Sequence, residues 1–333
     1  MNIMKTITAT CVAVAATTAG AQALPQAPEY LKTGDKVVIM SPASTPVKAK
    51  VEAAAQVLKQ WGFEVEVSPM TLDRFHLYAG DPEKRTEEFL KYLRDPKVKA
   101  IIASRGGYGS HQLLARITPD TLKKYPKWIV GYSDISALHS AEICAGNMSI
   151  HASMSSALYA GGADGELNLM LRDALMGKLK GHTAPGHKYN IPGTAKGILM
   201  GGNLAVLSKI AGSEDFDCLD RANIEGKDII LFLEDVGETF ERVNAMLDQL
   251  YIKGVMKHVK GVVIGRFTDY KPRWDYKDMN DMIHDTFTRM GLDVPACYDF
   301  PVSHDESWNY PMIEGCPVTL TVGEDKVSLT FDK

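Results

Sequence analysis

The sequence is poor in cysteine, in basic excess and in metal-binding spacings, and each shortage removes a class of protein. Five cysteines in 333 residues, with no CxxC pair, argue against a disulfide-stapled small scaffold and against a cysteine-cornered zinc module. There is no HExxH, and His304-Asp305-Glu306 sets its polar groups too close together for a ligand spacing, so neither a metal nor any other cofactor is expected. A formal net charge of −4 leaves no basic footprint for phosphate backbones, so nucleic acid is not an expected partner. The composition, 45% hydrophobic and 23% charged, is that of a globular protein rather than a disordered chain or a membrane bundle. At this length two domains can each bury a core.

The N-terminus reads differently from the rest. Met1 to Lys5 is a short region with one lysine, Ile7 to Thr18 is mostly apolar, and Ala21-Gln22-Ala23 places small residues where signal peptidase needs them. Residues 1–23 are therefore expected to be a cleaved secretory signal, leaving a periplasmic or secreted protein with no stable membrane span. Cys11 lies within the apolar run, which does not suit a lipoprotein site. Export would leave Cys144, Cys218, Cys297 and Cys316, widely separated and expected as buried free thiols.

Beyond residue 33 apolar runs alternate with helical spacing. Lys36 to Met40 is a buried-strand pattern closed by Ser41-Pro42-Ala43-Ser44, and Val51, Ala54, Ala55, Val57, Leu58 and Trp61 recur as one face of a helix that stops at Gly62. Phe63 to Val67 alternates as a strand, Asp81 to Tyr92 is helical, and Ala100 to Ala103 is another strand. This order predicts an α/β fold: an N-terminal parallel-sheet domain, residues 24–160, and a C-terminal mixed α/β domain, residues 197–333. Residues 161–196, broken by Gly161, Gly162, Gly165, Gly177, Gly181 and Gly186 and by Pro185 and Pro192, are expected to connect them. In the C-terminal part Asp228 to Leu233 and Gly261 to Ile264 read as strands around an amphipathic segment from Thr239 to Ile252, and Val318 to Phe331 reads as a hairpin.

Chemistry concentrates at strand ends. Trp128-Ile129-Val130 runs into Gly131-Tyr132-Ser133-Asp134, after which apolar residues resume at helical spacing. A serine there is either a helix cap or a nucleophile raised on a strand-to-helix turn, with the next backbone N–H aimed at a developing oxyanion. The usual G-x-S-x-G ends in glycine, and here the fifth residue is Ile135. Ser104-Arg105-Gly106-Gly107-Tyr108-Gly109-Ser110 also follows a strand; it lacks the Lys-Ser/Thr of a phosphate loop and the dinucleotide spacing. It is either an oxyanion loop, with Arg105 to hold a carboxylate, or a plain turn. A hydroxyl nucleophile needs a base, for which His76, His111, His139, His151 and His304 are candidates. His304 follows an apolar strand and enters a polar loop, while Glu234 and Asp235 end the run Ile229 to Leu233.

Taken in order, these segments resemble the LD-carboxypeptidase family of serine peptidases, which also includes microcin C immunity peptidases. The likeness spans about Gly34 to Gly315. It is carried by Gly34-Asp35-Lys36-Val37 with Ser41 to Ser44, Tyr78-Ala79-Gly80-Asp81 with Arg85, Ser104 to Ser110, Gly131 to Asp134, Gly201-Gly202-Asn203-Leu204, Phe232 to Asp235, Gly261 to Arg266, and His304 with Asn309. The resemblance implies Ser133 as nucleophile, His304 as general base and Glu234 as the residue orienting it. It also implies an oxyanion hole from the amides of Asp134 and of Gly106 or Gly107, and substrate contacts from Arg105, Tyr108, Asn203 and Asn309. The expected substrate is a murein peptide, the expected act the release of D-alanine from an L–D bond, and a homodimer is compatible with the family. Three departures bear on specificity: Ser303 stands where glycine is usual, Ile150-His151-Ala152-Ser153 replaces a His-Gly-Pro segment, and the loop after His304 reads Asp305-Glu306-Ser307-Trp308. Rival expectations are a microcin-type acyl-adenylate peptidase and a periplasmic binding protein without the triad.

Overall fold

The computed structural model describes residues 24–305 and 307–332, so the expected export segment, residues 1–23, lies outside the described residues. The chain opens with five strands of one parallel sheet: β1 Lys36–Met40, β2 Glu64–Val67, β3 Val98–Ala103, β4 Trp128–Gly131 and β5 Ser149–His151. A second sheet collects β6 Gly181–Pro185, β7 Gly193–Asn203, β8 Ile229–Val236, β9 Val259–Thr268 and β10 Ala296–Phe300. The short β11, Met312–Glu314, then returns to the first sheet, pairing antiparallel with β5, before β12 Pro317–Val322 and β13 Lys326–Phe331 complete the second. The strand orders are β11-β5-β4-β3-β1-β2 and β10-β9-β8-β7-β12-β13-β6. The fold is α/β as expected, with a parallel first sheet and a mixed second one.

The central strands read as unbroken apolar runs because both faces are covered. Val37 to Met40 and Ile229 to Leu233 are fully buried. Helix Lys48–Gln60 buries Val51, Ala54, Ala55, Val57 and Leu58 against the first sheet. Helix Pro82–Arg94 begins where proline suits the first turn, and its Asp81 cap accepts the amide of Lys84 at 2.8 Å. The tail is the expected hairpin, with β12 antiparallel to β13. Residues 161–196 do more than connect. They carry helix Glu166–Leu175, which buries Leu171, Ala174 and Leu175, together with β6. Their glycines fall at element ends, Gly165 at the helix N-cap and Gly177 just beyond the C-terminus with φ +72°, so they punctuate the elements without breaking them. The cysteines Cys144, Cys218, Cys297 and Cys316 are all free, and three of them are buried.

Four strand ends decide where a site can form. β3 and β4 in the first sheet, and β8 and β10 in the second, run toward a common seam, and the residues just past or at their carboxyl ends are Ser104 to Gly107, Ser133, Glu234 and His304. That is the edge where open parallel sheets bind ligands.

Candidate active site

Ser133 follows β4 and starts a one-turn 3-10 helix that leads into helix Ser136–Ala145. Its φ is +64°, a left-handed conformation that a side-chain-bearing residue adopts at a cost and that tertiary contacts must enforce. Against the helix-cap alternative, the cap positions of the turn and of the helix are Tyr132 and Ile135, and Ser133 Oγ lies 2.8 Å from His304 Nε2. Ile135 in place of the usual glycine also has a reason. A Cβ on Gly131 would come within 2.8 Å of Ile135 Cγ1 and 3.1 Å of Ala103 Cβ, so the isoleucine packs back over the turn and the bare residue is needed at Gly131.

The second sheet supplies the partners. His304 Nδ1 meets Glu234 Oε2 at 2.7 Å, and Glu234, at the end of β8, is fully buried. Burial is the largest single influence on His304 and opposes its protonation. The charge and hydrogen bond of Glu234, with Asp235 and Asp269 further off, outweigh it and hold the imidazole above its ordinary pKa. Asn203, at the end of β7, braces this acid: its amide lies 3.3 Å from Glu234 Oε1 and 3.0 Å from Asp235 Oδ1, while its own Oδ1 caps the next helix through Val206 N–H at 3.1 Å. Asp235 accepts the amides of Ala205 at 2.7 Å and Val236 at 2.8 Å, yet burial, aided by the charge of Glu234, pushes it up to about 6.

The glycine-rich loop closes the other side. A Cβ on Gly106 would lie 3.1 Å from Ser133 Cβ and 3.3 Å from its Oγ, so this backbone passes as near the hydroxyl as a bare residue allows. Gly107 has φ +102°, and a Cβ there would collide with Ser44 Oγ at 2.5 Å. The loop is held from both ends. Ser44 N–H donates to Gly106 O at 3.2 Å, Ser110 N–H donates to Asp134 Oδ2 at 2.7 Å, and the buried Arg85 guanidinium donates to Gly80 O and Gly109 O, each at 3.0 Å. The Asp134 side chain therefore ties the loop to the serine turn. Ser303, where glycine was the family expectation, fastens the segment after His304, its Oγ accepting Asp305 N–H at 3.0 Å and donating to Trp308 O at 3.1 Å.

Ser133 and His304 open onto a cavity of about 530 Å³, also lined by Ser104, Arg105, Gly106, Gly107 and Lys50. Arg105 lines it; Tyr108, Asn203 and Asn309, expected as substrate contacts, do not. Tyr108 turns to Tyr78 and His111, with ring centroids 6.0 and 4.9 Å away, and Asn203 and Asn309 are buried at 4% and 1% exposure, Asn203 behind the triad acid. Sequence reading missed Lys50, Ser155 and Ser156; nothing in a lysine on an amphipathic helix or in a serine pair marks which surface they will face.

Of the other histidines, His139 is buried with both nitrogens engaged, by Ser149 Oγ at 2.9 Å and Gly131 O at 2.8 Å. Among the described residues His139, His151 and Glu314 bring potential metal-ligand atoms within 4.8 Å of one another. With His139 already occupied, the trio offers two side chains, fewer than a zinc site uses. Burial pushes His151 well below and Glu314 well above their ordinary ranges.

A strained serine, an imidazole and a buried carboxylate in one hydrogen-bonded line is the arrangement by which a hydroxyl can be deprotonated as it attacks a carbonyl. Residues 37–152 match the N-terminal domain of LD-carboxypeptidases and residues 196–320 match their C-terminal domain. A putative carboxypeptidase of Synechocystis is 30% identical over 290 residues, covering 83% of this chain and 88% of that protein. The microcin C7 self-immunity protein MccF of Escherichia coli is 22% identical over 340 residues, covering 91% of this chain and 92% of its own. The crystal structure of a muramoyltetrapeptide carboxypeptidase from Oxalobacter formigenes superposes with a TM-score of 0.77 at 26% identity, covering 90% of this chain and 99% of that one. With both halves matched in order and the fold shared over 90% of this chain, the chain belongs to the LD-carboxypeptidase family and is a serine-type carboxypeptidase.

Proposed function

We propose that this protein removes the C-terminal D-alanine of a murein tetrapeptide by cutting its L–D peptide bond, with Ser133, His304 and Glu234 as the catalytic triad. Ser133 Oγ attacks the scissile carbonyl while its proton passes to His304 Nε2. Glu234 orients the ring through Nδ1 and stabilises the imidazolium. The tetrahedral oxyanion is held by backbone amides of Asp134 and of Gly106 or Gly107. The imidazolium then protonates the leaving amine, D-alanine departs, and water deprotonated by His304 hydrolyses the acyl-enzyme. Because the leaving residue keeps a free carboxylate, the site needs a cation beside the scissile bond, and Arg105 stands next to Gly106 in the cavity. Export by residues 1–23 would put the enzyme where murein is made and remodelled.

The observation that carries this reading is the pair of hydrogen bonds, 2.8 Å and 2.7 Å, joining Ser133, His304 and Glu234 at the mouth of that cavity. The test is incubation with a synthetic murein tetrapeptide and chromatographic detection of free D-alanine, with and without a chelator. Release unaffected by chelation supports the reading. An intact tetrapeptide alongside cleavage of a microcin-type aminoacyl adenylate would transfer the same triad to the other substrate class.

A further inference from the structure

Arg85, on helix Pro82–Arg94, is 0% exposed and forms no ion pair among the described residues. Its donors go to neutral oxygens: Nε to Gly80 O and Nη1 to Gly109 O, each at 3.0 Å, with Nη1 also reaching Pro42 O and Nη2 reaching Gln112 Oε1. The Tyr78 ring lies against the guanidinium, 5.0 Å from its carbon. Three carbonyls and one side-chain amide satisfy the hydrogen bonds of a guanidinium but leave its charge uncompensated, which is costly in a buried place.

The opposite charge it meets belongs to the serine turn. Asp134, 1% exposed, accepts the Ser110 N–H at 2.7 Å, and Ser110 directly follows the Gly109 whose carbonyl Arg85 holds. Burial lowers the pKa of Arg85, and the charge of Asp134 is the strongest influence opposing it. That carboxylate belongs to the residue whose backbone amide faces the proposed oxyanion. Left alone it would repel the negative charge that develops there, and a fixed cation behind the glycine loop offsets it.

We propose that Arg85 is a positioning residue of the oxyanion hole, fixing the glycine loop through Gly109 and countering the Asp134 carboxylate so that the hole stays electropositive. The inference rests on the triad and oxyanion hole of the proposed cleavage. Arg85 does not line the catalytic cavity, so it acts through the loop and through its field rather than by touching substrate.

Gln112→Glu tests the charge while keeping the fork occupied, because it puts a carboxylate where Arg85 Nη2 already finds an oxygen. The readout is labelling of Ser133 by a serine-directed phosphonate, resolved into reversible binding and maximal rate, a reaction that uses the oxyanion hole but needs no murein peptide. The variant is expected to react about 10-fold more slowly at saturating reagent, the effect of a unit charge acting across about 10 Å at an effective dielectric of about 20. Reversible binding should stay within about two-fold, and the Tm should not fall. Arg85→Met should slow labelling by about 100-fold, and Arg85→Lys, which keeps the charge without the fork, should recover part of that loss. An unchanged rate in Gln112→Glu, or a slowing matched by weaker reversible binding or a lower Tm, overturns the inference while leaving the triad intact. A wild type whose Ser133 is not labelled overturns the parent reading and the inference with it. If the Arg85 variants fail to fold, Gln112→Glu still decides.

Discussion

Ser133 and His304 meet from opposite sheets, and they reach the meeting by different physics. On the first sheet a local device lifts the hydroxyl: a strand, a bare Gly131, a serine at φ +64° and a helix, all within a few residues. The second sheet has irregularities of its own, a register shift between Leu233 and Asp235 and a positive φ at Asp299, but they do not by themselves bring an imidazole to the serine. Glu234 ends a buried strand, His304 follows another, and they matter because the two sheets dock. On the proposed mechanism, strain makes the nucleophile and assembly makes its base.

If that contrast is right, removing either side of the contact should cost about the same. Ser133→Ala and His304→Ala should each lower kcat by roughly 10⁶-fold, and the double variant should be no worse than the singles, because the pair acts as a unit. Steady-state kinetics on the tetrapeptide would show this, and a double variant whose losses multiply would break the comparison.

The next effect probes the second sheet alone. Glu234→Gln should cut kcat by up to ~10⁴-fold and move the acidic limb of the pH profile. In the native protein the base must be neutral, so kcat/KM should fall as pH drops through a His304 pKa above the ordinary value of about 6.5. Without the Glu234 charge the main upward influence is lost while burial still favours the neutral ring, so the limb should shift to lower pH. A shift upward would contradict the assignment.

Gly106→Ala tests how closely the loop of the first sheet approaches the nucleophile. The added methyl would sit 3.1 Å from Ser133 Cβ and 3.2 Å from Tyr132 O in a backbone without positive φ, so folding should survive and kcat/KM should fall by ~10²-fold. Unchanged kinetics would separate this loop from the reaction.

The smallest effect compares two buried carboxyls, one on each side. Asp235 accepts hydrogen bonds from two amides and Asn203, and is raised to about 6; Glu142, on the helix after Ser133, has Asn147 Nδ2 at 2.7 Å on Oε2 and no partner on Oε1, and burial raises it to about 8. A carboxyl with a raised folded pKa destabilises the fold progressively as pH rises from its unfolded to its folded value, and fully above that. Glu142→Gln should therefore raise the Tm by about 1–3 °C at pH 8, with the gain shrinking toward pH 5. Asp235→Asn should lower the Tm, since an amide nitrogen cannot accept the Ala205 N–H. Equal responses would erase the distinction.

The same contrast explains what could be read before any coordinates. Alternation of apolar runs with helical spacing reported the α/β layers, since burial on both faces writes itself into strands such as Val37 to Met40. The serine turn was visible as a pattern, yet cap and nucleophile share the same letters; φ at Ser133 and the 2.8 Å contact are what support the proposed nucleophile. Asn203 was expected as a substrate contact from the family resemblance alone, and packing turns it onto two carboxylates. Residues 161–196 read as a connection because a glycine at an element end and a glycine inside one look alike in sequence. Lys50 was invisible for the reason His304 was ambiguous: its significance depends on which surface another part of the chain brings to it.

The claim that two docked sheets create one activated serine is tested most directly by intact-mass and peptide mapping after reaction with a serine-directed phosphonate. A single adduct on Ser133, formed quickly by the wild type and abolished by His304→Ala, is the predicted result. Labelling of Ser133 at the same rate without His304, or an adduct only on another residue, would contradict it.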